Sequence, residues 1–496
     1  MRQLRGEDAL FLYSETGHSS SNITFVHLYD PSTAVGGAVH FKGLLKHVES
    51  RLHLSPVFRQ RLLRVPFDLD LPYWVEDDRF DLEYHVRHTA LPKPGDWRQF
   101  CIQASRIHAR PLDLSRPLWE LYLVEGIDSF LELPPHSFAV LTKIHHAALD
   151  PVHGADLITL LHDDSPSMPP PAPPEPWFPE DPPGLVQVLA RGVSHNLISP
   201  FSLATPLARV ARRFAPVVIG SLSEALLRRR KFPVARFNAE VSPHRVFETR
   251  RFTLDEFRRI RALVPGATVN DCVFAVCGGA LRRYLQAQDE LPRQSLVSVA
   301  PVSVRSGASG AASEVTLLRV PLGTDIADPI ARLRAVRRHT RGDAGMADAV
   351  AAKELTDITK HAPAATLART ARLLGAALLG AGRRTPLANC TITNLPGPGV
   401  PLYLDGARMT YFSAMMPIAD GMGLVFAVTS YDGRIMISPT ACREMVPDPE
   451  VLAQCIRDSF QEYLALAAPK PVKNPRRVRR SRAVSPARGK AARSAR

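Results

Sequence analysis

The chain has 496 residues, 45% of them apolar, and a formal net charge of +14; that length exceeds what one hydrophobic core usually supports, so two domains are expected. Residues 470–496 hold 11 Lys and Arg and no acid, which leaves +3 for everything before them (14 minus 11), so the basicity is largely a property of the tail. Six cysteines with no CxxC argue against a zinc site or disulfide framework, charges in the first residues argue against a secretion signal, and no apolar run approaches the length of a membrane span.

Asp8 to Leu12 reads as a short lead-in and Asn22 to Tyr29 as a first strand. Phe41 to Leu52 has helical apolar spacing, and Pro56 to His88 alternates aromatic and acidic residues in a strand-rich manner. Asp96 to Arg110 forms an amphipathic helical pattern closed by a loop through Pro117, Leu118 and Trp119. Strands are predicted at Leu118 to Glu125 and Phe138 to His146, and a helix at about Gly154 to Leu161. Residues 164–183 contain ten prolines. Proline lacks an amide donor and fixes φ, so this stretch is a semi-rigid connector and marks the domain boundary.

Beyond it, residues 184–231 read as helices broken by Pro200, Pro206 and Pro216, with Arg212, Arg213 and Arg228 to Lys231 near their ends; such faces suit either solvent or anionic lipid. The second half opens with a strand at Val246 to Phe252 and a helix at Thr253 to Val264. Val269-Asn270-Asp271 and a helix to about Gln286 follow, with Asn270 at the expected N-cap. Strands at Leu296 to Arg305, Val315 to Leu322 and Cys390 to Asn394, a Pro/Gly loop at Pro396 to Pro401, and a hairpin joined at Tyr431 to Gly433 come next. Helices at Asp328 to Thr340, Ala347 to Leu379 and Pro449 to Ala468 complete the half. The domains are thus 1–163, a linker at 164–183, 184–468, and a basic tail at 469–496 too poor in apolar residues to fold. The tail has no aromatic residues for base stacking, so specific nucleic-acid recognition is not expected.

The stretch FAVLTKIHHAALDPVHGADL (Phe138 to Leu157) brings the chain's chemistry into view. An apolar strand delivers two adjacent imidazoles, with Asp150 four positions after the second. Strand alternation puts His146 on the side of Ile144 and Thr142, and His145 on the side of Lys143 and Leu141. A neutral imidazole is the commonest general base, and Asp150 is placed to fix a tautomer or brace the turn. A metal-ligand fragment or a satisfied buried pair fits the same residues.

HHAALD resembles the HHxxxD motif of the CoA-dependent acyltransferase superfamily. Together with RPLWELYLVEG, VNDCVFAVCGGALRRYL, APVSVR and TITNLPGP, in that order, the chain is similar to the bacterial wax ester synthase/diacylglycerol acyltransferase family over about residues 7 to 465. The resemblance implies an α/β fold with the two-domain CoA-dependent acyltransferase, or chloramphenicol acetyltransferase-like, architecture: mixed sheets flanked by helices, and an active-site tunnel between the halves. It further implies acyl-CoA as donor, diacylglycerol or a fatty alcohol as acceptor, and His146 as general base, with no metal, cofactor or covalent acyl-enzyme. His145 supports the geometry. Asp150 holds the turn, with Arg305 as its partner. Asn270 supplies the oxyanion donor, Asn270 and Asp271 line the site, and Pro117, Leu118 and Trp119 form its wall. A cytoplasmic protein peripheral on membrane or lipid inclusions follows. The sequence departs from the pattern at Pro151, where glycine is usual, and at His153, where a small residue is usual. That departure raises a competing expectation, a catalytically impaired or non-catalytic lipid-binding relative. A peptide-condensing or polyketide-tailoring acyltransferase shares HHxxxD but lacks the Pro-Leu-Trp and Asn-Asp blocks.

Overall fold

The computed structural model describes residues 2–127, 133–149, 156–169, 171, 177–181, 183–184, 186–194, 233–304, 314–341 and 388–468. Asp150, Pro151, His153, Arg305, the helix expected at 347–379, most of the helices expected at 184–231, and the tail lie outside the described residues.

In chain order the first half contributes β1 (Arg2–Gln3), α1 (Gly6–Tyr13), β2 (Asn22–Asp30), α2 (Phe41–Glu49), β3 (Gln60–Leu63), β4 (Tyr73–Glu76), α3 (Leu82–His85), β5 (Val86–Ala90), α4 (Trp97–Ala109), β6 (Trp119–Glu125), β7 (Phe138–His145) and α5 (Asp156–Leu160). The second contributes β8 (Arg245–Phe247), β9 (Arg250–Thr253), α6 (Leu254–Arg261), α7 (Val269–Gln286), β10 (Val297–Val304), β11 (Glu314–Pro321), α8 (Pro329–Thr340), β12 (Cys390–Pro396), β13 (Tyr403–Leu404), β14 (Ala407–Met415), β15 (Leu424–Tyr431), β16 (Arg434–Cys442) and α9 (Pro449–Leu466).

Two mixed sheets and a small antiparallel one, β1-β4-β3, result. The first runs β13-β14-β2-β7-β6-β5, and the second runs β11-β10-β12-β15-β16-β8, with β9 also on β16. β2, NITFVHLYD, is buried at every position but the last, as a central strand covered on both faces must be. The division at the proline linker is therefore not a division of sheets. β13 and β14 come from the second half of the chain, yet β14 pairs antiparallel with β2, completing the first sheet. The sequence reading missed both strands. A register shift between Met409 and Tyr411 breaks the period-two alternation by which β14 would be recognised.

Local signals account for the helix starts. Asp96 with Gln99, Thr253 with Glu256, and Thr268 with Asp271 each form a capping box, satisfying amides that the first helical turn leaves without partners. α7 is buried on nearly every face, and its glycine pair allows the close approach. A Cβ at Gly278 would run into the Leu322 carbonyl oxygen, and one at Gly279 into Ser459 Oγ. Five of the six cysteines are buried, as expected of packing residues, and all six are free thiols. No helix among the described residues is long and apolar enough to cross a membrane.

The two sheets and the segments flanking them meet through specific polar contacts. The Tyr411 and Ser438 hydroxyls both donate to Thr249 Oγ1 (2.8 and 2.9 Å), and Ser413 and Ser438 Oγ share a hydrogen bond of 2.6 Å. Trp97 Nε1 donates to Glu248 (2.6 Å), and Ser19 Oγ donates to the Ile418 carbonyl (2.5 Å). Groups this deeply buried are costly to leave unpaired, so the contacts fix one arrangement of the two sheets.

Candidate active site

β7 ends at His145, and His146 begins a 3-10 turn over His146–Ala148. The alternation expected to place the two rings on opposite faces thus stops one residue early, and the turn sets the orientation of His146. His145 is fully buried and caps that turn: its Nδ1 accepts the Ala147 amide proton at 3.0 Å. The acceptor role at Nδ1 puts the ring proton on Nε2, which donates to Glu15 Oε1 at 3.0 Å. The same carboxylate oxygen accepts the Ser21 amide (2.7 Å), and the His146 amide donates to the Ser21 carbonyl (2.8 Å). One histidine, one glutamate and the 15–22 segment therefore form a closed clamp around the turn.

His146 is held differently. Its ring stacks on Phe11 of α1, with centroids 3.6 Å apart and planes at 17°. Its Nδ1 is buried with no hydrogen-bond partner among the described residues. Burial pushes its pKa from the usual histidine value down to about 4; the neighbouring His145 adds to the effect, and its own backbone carbonyl works against it. The ring is neutral at pH 7, with a lone pair available to take a proton. Beside the turn lies a cavity of about 830 Å³, within the range of ligand sites. Ala147, Ala148 and Leu149 form one wall, Trp74 and Val57 another, and Arg2 and Arg5 of the N-terminal segment contribute charge.

The remaining predicted residues divide. Pro117, Leu118 and Trp119 are all buried. The Leu118 carbonyl accepts the His145 amide (3.0 Å), while Trp119 Nε1 donates to the Phe58 carbonyl and its ring stacks on His85. The corner thus braces the histidine strand from behind; among the described residues none of the three lines the cavity. Asp271 is likewise occupied, accepting from the Thr268 amide and the Thr340 hydroxyl (2.7 Å each). The N-cap is Thr268 rather than Asn270, because the Thr268 and Asp271 side chains cap each other's backbone. Asn270, freed of that duty, is exposed and accepts a long hydrogen bond from Asn394 Nδ2 at 3.4 Å. The structure brings His145 and His146 together with the Pro-Leu-Trp corner, and Asn270 together with Asn394.

Sequence reasoning did not reach Glu15 or Phe11. Glu15 is a lone acid in a loop 130 residues from its partner, and no local pattern marks it. Phe11 belonged to a segment read as a lead-in rather than the helix α1.

Two mixed sheets joined by an exchanged strand, with a paired-histidine turn at a strand end, define the two-domain CoA-dependent acyltransferase fold. A solved wax ester synthase/diacylglycerol acyltransferase from Marinobacter aquaeolei superposes with a TM-score of 0.65 at 26% identity, covering 94% of this chain and 99% of that one. A trichothecene 15-O-acetyltransferase from Fusarium sporotrichioides, at 12% identity and a TM-score of 0.56 over 94% of each chain, shares the fold. The wax ester synthase/diacylglycerol acyltransferase catalytic-domain profile matches residues 4–273, and the profile of the C-terminal domain of the same family matches residues 313–463. A Mycobacterium tuberculosis protein that carries the name of a diacylglycerol O-acyltransferase is 30% identical over 95% of this chain and 92% of its own length. An Acinetobacter baylyi relative named O-acyltransferase WSD is 29% identical over 80% of this chain and 84% of its own. The chain belongs to the wax ester synthase/diacylglycerol acyltransferase family, and its activity is acyl transfer.

Proposed function

We propose that the chain moves a long-chain acyl group from acyl-CoA to the hydroxyl of a diacylglycerol or a fatty alcohol, with His146 as general base. The observation that carries this reading is the His146 ring, neutral and desolvated, on a clamped turn beside a cavity of about 830 Å³. His146 takes the acceptor's hydroxyl proton as the alcohol oxygen bonds to the thioester carbon, which avoids a high-energy oxonium and contributes about 10² to 10⁴-fold. The tetrahedral oxyanion then collapses, the C–S bond breaks, and the imidazolium returns the proton to the departing thiolate. Products are the ester and free CoA. Asn270 is the donor assigned to the oxyanion: Asn394 occupies its Oδ1, which leaves its Nδ2 hydrogens for a ligand. Asp150 and Arg305 keep their proposed roles in holding the turn. Binding to a membrane or lipid inclusion is assigned to the basic tail, at about 1 kcal/mol for each basic residue near an anionic surface.

The test is radiolabelled palmitoyl-CoA supplied with diacylglycerol or hexadecanol and purified protein, with the lipid products separated. Label should enter triacylglycerol or wax ester only when an acceptor is present, and His146→Ala should lower turnover by about 10²-fold or more. Undiminished turnover in a folded His146→Ala protein would remove His146 from the mechanism.

A further inference from the structure

A second cavity, of about 380 Å³, lies between the C-terminal end of α4 and the segment leading into β8. Ser105, Arg106, Ala109 and Arg110 form one side, and Pro243, His244, Arg245 and Arg443 the other, so four guanidiniums converge and, among the described residues, no carboxylate lines the space. Arg106, Arg110 and Arg443 are exposed and make no ion pair among the described residues. Arg98, earlier on the same helix, does pair, with Glu450 at 2.7 Å. Like charges held close repel one another, so folding stability gives no reason to gather these four.

Arg245 is preorganised. It is 7% exposed, donating through Nη1 to the Ser242 and His244 carbonyls and through Nη2 to the His18 carbonyl at 2.5 Å. Glu444, next to Arg443 in sequence, is already engaged by the Ser242 hydroxyl, the Cys442 thiol and His244. These hydrogen bonds hold its carboxyl down at about 2, so it stays an anion bonded to them.

We propose that this cavity binds a phosphoryl anion, a phosphomonoester or diphosphate gripped by Arg106, Arg245 and Arg443. Guanidinium forks match phosphate oxygens bidentately, and the volume suits one or two phosphates better than an acyl chain. The pocket is tied to the histidine turn by two routes. The Arg110 carbonyl accepts from Asn22 Nδ2 (3.2 Å), and Asn22 lies opposite His145 in the β2–β7 ladder. Arg245 holds His18, within the segment whose Glu15 and Ser21 clamp that same turn. Of the substrates in the proposed reaction, acyl-CoA is the one that carries phosphates. With that ligand the inference rests on the proposed function. A phosphatidate headgroup offers the same chemistry.

The experiment is calorimetric titration of the full-length protein with CoA, and in separate runs with phosphatidylcholine vesicles with and without phosphatidate. It compares wild type, Arg106→Ala/Arg443→Ala and Arg98→Ala, with the melting temperature read on each sample. The double variant should bind CoA roughly 10²-fold more weakly, about tenfold for each guanidinium–phosphate pair removed, while Arg98→Ala should stay within about twofold. Weakening confined to phosphatidate vesicles identifies a lipid phosphate as the occupant and upholds the site. A double variant that melts normally and binds both probes within about twofold of wild type overturns it. Because titration needs no turnover, a protein that forms no ester yet loses CoA binding in the double variant would sink the proposed function and leave the pocket standing.

Discussion

Removing the Glu15 carboxylate tests the clamp that presents His146. In Glu15→Ala, two buried donors lose their acceptor at once: His145 Nε2, at 3.0 Å, and the Ser21 amide, at 2.7 Å. Each buried donor left unsatisfied costs about 1–3 kcal/mol, so the loss of stability should be about 2–6 kcal/mol, less whatever water recovers at the partly exposed glutamate. The catalytic consequence is separate. Ser21 also accepts the His146 amide, so release of the 15–22 segment frees the turn itself, and a displacement of about 1 Å at the reacting nitrogen is worth about 10²-fold in kcat. Glu15→Gln keeps an acceptor oxygen in the same place and should retain most of the activity. The assay is continuous thiol release from palmitoyl-CoA in the presence of hexadecanol, with kcat and KM resolved and melting followed in parallel. A Glu15→Ala protein with kcat within about threefold of wild type, or a Gln variant as impaired as the Ala variant, would refute the positioning role.

Three further outcomes follow from the same geometry. Since burial holds His146 near a pKa of about 4, the acid limb of kcat/KM should fall nearer pH 4 than the ordinary histidine value; a limb at about 6.5 would mean a solvated ring. His108 is 3% exposed, bonded to Thr24 and the Met416 carbonyl, and pushed down to about 3 by burial, with Lys143 and Arg245 adding to it. The folded state stays neutral there while the unfolded chain takes up a proton below about 6.5, so its contribution is complete above that pH and declines on acidification. Between pH 7 and 5 the loss from this one group is about 2 kcal/mol, and His27, buried with neither ring nitrogen hydrogen-bonded among the described residues, adds to it in the same direction; denaturant titrations at the two pH values would measure the sum. Gly278→Ala drives a Cβ into the Leu322 carbonyl and should cost about 1–3 kcal/mol with KM little changed, read by melting and kinetics together.

What the sequence revealed and what it hid separate along one physical line. The body of α7 (Val269–Gln286) and its end near Gln286 are legible because the apolar spacing is local. Even there the cap was placed two residues late, since Thr268 and Asp271 cap each other across the first turn. β14 was invisible because a register shift interrupts its alternation, and its partner β2 lies in the other half of the chain. Glu15 was invisible because a buried histidine's choice of carboxylate is settled by the fold, with nothing in the residues beside it to record the choice.

The histidine pair itself shows how local and distant information combine. Two adjacent imidazoles are plain in the sequence, and only the structure divides their work. Every ring nitrogen of His145 is committed, to Ala147 and to Glu15, and this is what a ring buried without solvent requires. His146 keeps Nδ1 unpaired against Phe11, a costly state for a residue whose only task is packing. The fold fully satisfies one histidine and leaves a nitrogen of its neighbour without a partner among the described residues. The asymmetry between the two rings, more than the motif that contains them, is the physical argument for His146 as the base.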